Sequence, residues 1–526
     1  MNAALSQTAF PILSAIVAAP MLAAVALLFV PDRLRSVTRA VALAGATSSF
    51  AGTIWVATMV ARLGADKFNL IERYPLVPSL GINVILAADG WSAALLLLTG
   101  VIIFAGVFAS WNLEDRQREF FIFLLTLVAG VYGVFVAQDL FVFFLCYEIA
   151  VLPMYLLIGI WGSSGTVPTA GPFGWAFRRL DVGGKEYAAM KLTLMLLVGS
   201  AFILAAMLAM YWDMGAIGTF DMWAMADHRF PRELQWLAFP ALWIGFGTLG
   251  GLFPFHTWSP DGHAAAPTAV SMLHAGVLMK LGAFGVMRVG MMLLPLGALD
   301  WAYVVGTVAV INIVWGAFCA MSQRDLKYII AYSSVSHMGV VLLGAATLTV
   351  NGWNGAIFQM IAHGMMTGMF FALVGLVYGR THDRWIPHMG GFAKIMPFAA
   401  AFFTLACLSS LGLPGTAGFI AEFLVFLGAW EAMQPAWAIA GAVGAFVTAV
   451  YVLRAIRVIF WGEGPPQKFE HLTDVSGTEH VALWTLGVAI IVLGLWPRFV
   501  LDLINGATPQ YLHMVTQFAS HTGMGA

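Results

Sequence analysis

The sequence predicts an all-α, polytopic membrane protein of about fourteen hydrophobic helices. Three observations carry that reading. Of 526 residues, 61% are hydrophobic and only 10% charged, where soluble domains carry about 25% charged residues. Apolar stretches near the roughly 20 residues that a spanning helix needs recur from near Phe10 to near Phe499, separated by short polar breaks. Two of these stretches are interrupted by Gly and Pro in comparable ways, a pattern associated with transport sites.

Taken in order, the stretches lie at 9–30, 37–61, 90–110, 119–136, 138–161, 188–211, 236–256, 267–289, 302–322, 326–346, 352–378, 396–424, 434–461 and 480–500. The first twelve residues hold no Lys or Arg, so the chain lacks a positively charged leader and 9–30 reads as a retained span. Stretch 236–256 contains Gly245, Gly247, Gly250, Gly251 and Pro254, and stretch 396–424 contains Gly412, Pro414, Gly415 and Gly418. Each is expected to unwind in its middle. Non-helical backbone survives at membrane depth only where protein or water satisfies its freed groups, and paired interruptions point to inverted repeats. The expected organisation is therefore N-terminal spans in 1–118, a first five-helix inverted repeat in 119–289, a second in 302–461, and a loop with the last helix in 462–526.

Orientation follows from Lys and Arg, which are in excess on cytoplasmic loops. Sixteen fall on one side: Arg33, Arg35, Arg39, Arg116, Arg118, Arg178, Arg179, Lys185, Arg324, Lys327, Arg380, Arg384, Lys394, Arg454, Arg457 and Lys468. Seven fall on the other: Arg62, Lys67, Arg73, Arg229, Arg232, Arg288 and Arg498. The bias predicts both termini outside the cytoplasm. A net charge of −1 gives no reason to expect a nucleic-acid partner. Cys146, Cys319 and Cys407 stand alone in apolar stretches without CxxC spacing, so they read as small core side chains.

Ionisable groups inside the hydrocarbon cost at least about 2.5–3.5 kcal/mol each and are functional candidates by default. Five stand out: Glu148, Lys280, His337, His363 and Glu422, spread over the fifth, eighth, tenth, eleventh and twelfth stretches. Each has a plain structural alternative: the Glu can be the ion-pair partner of a Lys, and a buried His can be held by a carbonyl or hydroxyl. Together, acid, amine and imidazole groups on successive helices form a set that can hold and pass protons. His274 is a sixth candidate. It lies six residues before Lys280, off the three-or-four spacing that would put both on one helix face.

Other motifs weaken in context. GFGTLG at 245–250 fits GxGxxG but follows no strand, so it does not indicate a dinucleotide site. His256 and His263 straddle a Pro turn without a companion set of metal ligands, and are read as structural at the helix break. The 19 Trp and 39 Phe fit lipid-facing surfaces and interfacial belts.

The stretches EIAVLPMYLLIGIWG, PFHTWSPDGHAAAPTAVSMLHAGVLMKLGAFGVMR, MSQRDLKYIIAYSSVSHMG and SSLGLPGTAGFIAEF, in order across 148–423, resemble the subunit M family of NADH:quinone oxidoreductase (complex I). That family is the counterpart of mitochondrial chain four, within the antiporter-like, Mrp-related superfamily. The resemblance implies fourteen helices with two inverted five-helix repeats and a subunit that moves protons using energy from quinone chemistry elsewhere. It implies no redox cofactor on this chain, with NADH, FMN, iron–sulfur clusters and quinone in other parts of the complex. The implied partners are other antiporter-like membrane subunits and the rest of complex I, in the cytoplasmic membrane. Glu148 resembles the family's fifth-helix glutamate, Lys280 its central lysine, His337 and His363 its connecting histidines, and Glu422 its terminal acid. Several sister subunits carry Lys at that last position.

One position departs from the family pattern. The lysine usual seven residues before His256 is Leu249 here, which deprives Glu148 of its customary cationic partner. A carboxyl without a nearby positive charge favours its neutral form, and His274 is a candidate to supply the replacement charge. Two other functions stay open: an Mrp-type cation/proton antiporter or membrane-bound hydrogenase subunit, and a structural subunit of the membrane arm that does not pump.

Overall fold

A computed structural model describes residues 10–165, 181–462 and 464–521, with side chains described up to residue 516 at the C-terminal end. Arg178 and Arg179 lie outside the described residues. The chain is a bundle of helices, eleven of them long and apolar enough to cross a membrane among the described residues.

The first five helices are α1 (Ile12–Leu28), α2 (Arg35–Leu63), α3 (Gly90–Ala109), α4 (Gln117–Val136) and α5 (Leu140–Trp161). α6 (Lys185–Asp213) leads to α7 (Arg232–Leu249). The chain then breaks, resumes as the short α8 (Trp258–Ala265), and turns into α9 (Thr268–Met291). α10 (Pro295–Ser322), α11 (Leu326–Ala346) and α12 (Val350–Thr381) follow. A second broken pair, α13 (Pro397–Ser410) and α14 (Ala417–Glu431), precedes α15 (Pro435–Ile459), α16 (Gly477–Leu495) and α17 (Arg498–His521).

Both interrupted stretches unwind as the Gly and Pro residues imply, the first of them late in its Gly-rich run. Gly245 and Gly247 remain inside α7, and the chain leaves the helix at Gly250. Gly251 then takes a left-handed φ of +76°, open to Gly without strain. The freed backbone is satisfied from neighbouring helices: Asn312 of α10 accepts from the Phe253 N–H at 2.9 Å, and Trp258 donates to the Thr248 carbonyl at 2.9 Å. This is the condition for irregular backbone at membrane depth. In the second break Gly412 and Gly415 have φ of +69° and +94°, and the Thr416 hydroxyl donates to the Leu413 carbonyl at 2.7 Å.

Three features were not legible in the apolar runs. Residues between α2 and α3 form an antiparallel hairpin of β1 (Asn69–Val77) and β2 (Ile82–Ala88). α9 departs from α geometry in two π segments, His274–Leu278 and Val286–Met291; such wide turns recur at functional sites. The chain also continues past the last apolar stretch as α17, an amphipathic helix whose Leu503, Ile504, Ala507, Tyr511 and Val515 are buried.

α9 is the axis of the molecule, with its whole apolar length inside the protein. Glycines set its distances to its neighbours. A Cβ on Gly364 of α12 would lie 2.5 Å from the Gly276 carbonyl, and one on Gly282 would lie 2.4 Å from the Gly250 amide nitrogen. Side chains projecting from α9 therefore reach α12 directly.

Two positions counted with the loops from charge alone are buried inside helices. Arg288 sits inside α9, buried, with its guanidinium donating to Asp89 at 2.6 Å. Lys327, also counted with the loops, is buried at the start of α11 and donates to the Ala266 carbonyl at 2.9 Å.

Candidate functional site

The buried titratable groups form one connected run across α9, α12, α11 and α14. Lys280 is fully buried, and its ammonium donates to the Ala275 carbonyl, one π turn back, and to Nδ1 of His363 at 2.7 Å. The His363 and His337 rings lie 5.3 Å apart, centre to centre. Nδ1 of His337 is 3.4 Å from Oε1 of Glu422 and 3.2 Å from the Gln359 amide. Its Nε2 is 3.2 Å from the Ser410 hydroxyl at the end of α13.

The second helix break makes room for the last of these groups. A Cβ on Gly412 would stand 2.8 Å from Oε2 of Glu422, so the carboxyl lies against bare backbone where α13 has unwound. Gly418 performs the matching task for α14, because a Cβ there would meet the Ser409 carbonyl at 2.1 Å. Sequence, break and carboxylate position are thus one design: glycines permit the approach that puts Glu422 beside His337.

His274 belongs to a different cluster. Its ring stacks on Trp258 at 5.1 Å and lies 4.1 Å from the ring of His263. Neither of its nitrogens has a hydrogen-bond partner among the described residues, so no hydrogen bond leads from it to Glu148. His263, read from sequence as structural, is fully buried in this cluster, with Nε2 3.4 Å from Met279 Sδ. The residue types gave no signal for it beyond an imidazole following the first break.

Glu148 stands apart. It is half-buried on α5, and its carboxylate accepts from the Ser200 hydroxyl of α6 at 2.5 Å. Lys191, nine residues before Ser200 on α6, donates at 2.6 Å to Asp261 of α8, which also accepts from Tyr328 at 2.8 Å. Leu249, in the position where the resemblance implies a lysine, is fully buried at the end of α7.

Sequence reasoning also missed a buried charged group at the far end of α9. Asp89, the N-cap of α3, accepts from Arg288 at 2.6 Å and from the Tyr511 hydroxyl of α17 at 2.5 Å. The Arg288 guanidinium lies over the rings of Phe68, Trp91, Phe284 and Tyr511 at 4.9–5.4 Å. Asp89 and Arg288 fell at the margins of apolar stretches, where a span and a loop look alike.

Residues 181–448 match the sequence profile of the NADH:quinone oxidoreductase/Mrp antiporter membrane region. Over 507 residues the chain is 36% identical to NAD(P)H-quinone oxidoreductase chain 4 1 of Nostoc sp., covering 95% of this chain and 90% of that one. The chain belongs to the NADH:quinone oxidoreductase/Mrp antiporter family. Another family member, NAD(P)H-quinone oxidoreductase chain 4 2 of Thermosynechococcus vestitus, is 36% identical over 519 residues, covering 97% of this chain and 92% of that relative. Among solved structures, a chain of respiratory complex I from Thermus thermophilus with bound NADH superposes with a TM-score of 0.84 at 27% identity, covering 96% of this chain and 99% of that one. A chain of the Mrp complex from Dietzia sp. DQ12-45-1b shares the fold, with a TM-score of 0.80 at 21% identity over 96% of this chain and 98% of that one.

Proposed function

We propose that this chain is a proton-translocating, antiporter-like membrane subunit of a respiratory NADH:quinone oxidoreductase, coupling quinone reduction elsewhere in the complex to proton transfer across the membrane. The observation that carries the proposal is the buried run from Lys280 through His363 and His337 to Glu422. Near-full-length similarity to quinone oxidoreductase chains supports the assembly it works in. Its partners are the other antiporter-like membrane subunits of that complex. This chain carries no redox cofactor.

The proposed architecture counts fourteen spans, each of the two broken pairs being one, with inverted five-helix repeats in 119–289 and 302–461. Both termini lie outside the cytoplasm, and the membrane is the cytoplasmic one. Removing the buried Arg288 from the smaller loop count sharpens the charge asymmetry behind that orientation.

In the proposed mechanism a proton from the cytoplasmic side arrives near the first break and is taken up at Lys280. Lys280 then passes a proton to Nδ1 of His363, the acceptor of its hydrogen bond. The gap between the His363 and His337 rings is one that a single bridging water spans. While the Gln359 amide donates to Nδ1 of His337, the His337 proton sits on Nε2, toward Ser410; once Nδ1 is protonated, it faces Glu422. Glu422 delivers the proton to the opposite side. Coupling is electrostatic, because charges interact more strongly at low effective dielectric than in water. A change of charge at Glu148 therefore biases where Lys280 holds its proton.

The test is the proton-to-electron ratio of the assembled complex with Glu148→Gln, Lys280→Met or Glu422→Gln. A ratio unchanged in all three variants would discard the route. A second reading, a structural subunit that does not pump, is favoured by Leu249 and by the absence of a hydrogen-bonded cation at Glu148 among the described residues. It expects that same unchanged ratio.

A further inference from the structure

The exposed side of α15 carries one unbroken stripe. Ile439, Val443, Phe446, Val450 and Leu453 recur every three or four residues, and all are exposed, so they share one helix face. The next position in that spacing is Arg457, with Arg454 one turn before it. Both arginines are exposed and, with Val450, Leu453 and Val458, line an open cleft of about 460 Å³.

Neither arginine is paired with a carboxylate among the described residues. Arg457 has no hydrogen-bond or ion-pair partner among the described residues, and Arg454 donates only to the Gln323 carbonyl, at 3.0 Å. Arg324, the residue after that carbonyl, is a third exposed cation, with no partner for its side chain among the described residues. Other arginines of the same loop set are matched by carboxylates: Arg116 by Glu119, Arg118 by Asp32, Arg380 by Glu479 and Arg384 by Asp325.

Length identifies what the stripe and the cations fit together. Phe446, 71% exposed, lies eleven residues before Arg457, which at 1.5 Å per residue is about 16 Å. Half of a bilayer's hydrocarbon core is about 15 Å. Exposed Trp461, one turn beyond Arg457, has the side-chain type that marks the membrane–water boundary. Basic residues at this depth, over an apolar strip one leaflet long, match a phosphate headgroup and its acyl chains.

We propose that the face of α15 ending in Arg454 and Arg457 is a binding site for an anionic phospholipid, with the phosphate held by these two guanidiniums beside Arg324 and the acyl chains lying along Leu453, Val450 and Phe446. Guanidinium donates to phosphate oxygens in paired geometry, and two of the three arginines project from one helix turn. The site requires that the chain spans a membrane. It does not depend on the proton route, so either can fail without the other.

The test titrates the intact detergent-solubilised complex with phosphatidylglycerol, and with phosphatidylcholine for comparison, reading bound lipid by native mass spectrometry. Arg454→Gln with Arg457→Gln is expected to weaken phosphatidylglycerol binding about thirtyfold, from about 1 kcal/mol for each basic residue. Arg454→Lys with Arg457→Lys keeps most of the binding. Arg33→Gln with Arg35→Gln, which removes two exposed cations from another corner, leaves it unchanged. Equal losses in the two Gln pairs would reduce the effect to diffuse surface charge and overturn the site. So would equal binding of the zwitterionic lipid, or a photo-crosslinker at position 446 that captures a neighbouring polypeptide instead of lipid.

Discussion

Around Glu422 each titratable side chain lies against another, whereas Glu148 meets a single hydroxyl. On the α11–α14 side, Lys280, His363, His337 and Glu422 follow one another across four helices, with Gln359 and Ser410 fixing the imidazole in the middle. On the α5–α6 side, Glu148 has Ser200, and Lys191 of the same α6 is paired with Asp261. The same chemistry, a carboxyl near a broken helix, is thus built once as a relay and once as an isolated charge. A relay needs groups that exchange a proton; an isolated charge needs only to be felt. The proposed route accordingly uses the first region for transfer and the second for electrostatic bias.

Lys280→Met should break the comparison most severely, because in the proposed route Lys280 both begins the relay and answers to Glu148. Quinone reductase turnover of the complex is expected to fall about tenfold or more, equivalent to about 1.4 kcal/mol on the limiting barrier. Turnover and proton-to-electron ratio should be measured in membranes carrying normal amounts of the complex. Near-wild-type values for both would remove Lys280 from the mechanism.

Glu422→Gln should cost less, about fivefold, since it removes the terminal acceptor while leaving Lys280 and both histidines in place. Coupling makes this informative. Residues sharing one network show non-additive effects, so His337→Gln with Glu422→Gln should be little worse than the more damaging single change, whereas Glu148→Gln with Glu422→Gln should come near the product of its singles. Multiplicative loss in the first pair would mean that the 3.4 Å contact between His337 and Glu422 is not used.

How much of this was legible beforehand depended on which property carried the information. Apolar length and the Gly/Pro interruptions exposed the helices and both breaks, because a bilayer imposes those rules on local sequence. Charge inside an apolar run exposed Glu148, Lys280, His337, His363 and Glu422 for the same reason. Arg288 and His263 show the limit. Arg288 lies near a span end where snorkelling to water is ordinary, and only the three-dimensional approach of Asp89 and Tyr511 reveals it as buried. His263 acquires its setting from His274 on another helix, a juxtaposition that no periodicity contains. The hairpin and α17 were missed because their burial comes from packing on the bundle and not from an apolar run of membrane length.

Gly364→Ala sharpens the comparison without removing any titratable group. Its Cβ would stand 2.5 Å from the Gly276 carbonyl, so α12 and α9 must separate, and Lys280 and His363 with them. Overpacking of this kind costs about 1–3 kcal/mol. The complex should still assemble, with turnover lowered about threefold. If turnover is unchanged while a structure of the variant shows the helices displaced, direct Lys280–His363 transfer is not rate-determining.

Ser200→Ala should have the smallest effect, and it tests the isolated-charge idea through the proton-to-electron ratio. A serine hydroxyl has one proton to donate, and two acceptors compete for the Ser200 proton: Oε1 of Glu148 at 2.5 Å and the Leu196 carbonyl at 3.0 Å. Ionised Glu148 draws that proton toward itself; neutral Glu148 releases it to the helix. The hydroxyl therefore stabilises the charged form of Glu148 without being part of any transfer step. Its loss should change turnover by about twofold, from a net hydrogen-bond contribution of about 0.5 kcal/mol, while leaving the proton-to-electron ratio intact. A collapse of the ratio as deep as that of Lys280→Met would place Ser200 and Glu148 inside the relay and erase the distinction between the two regions.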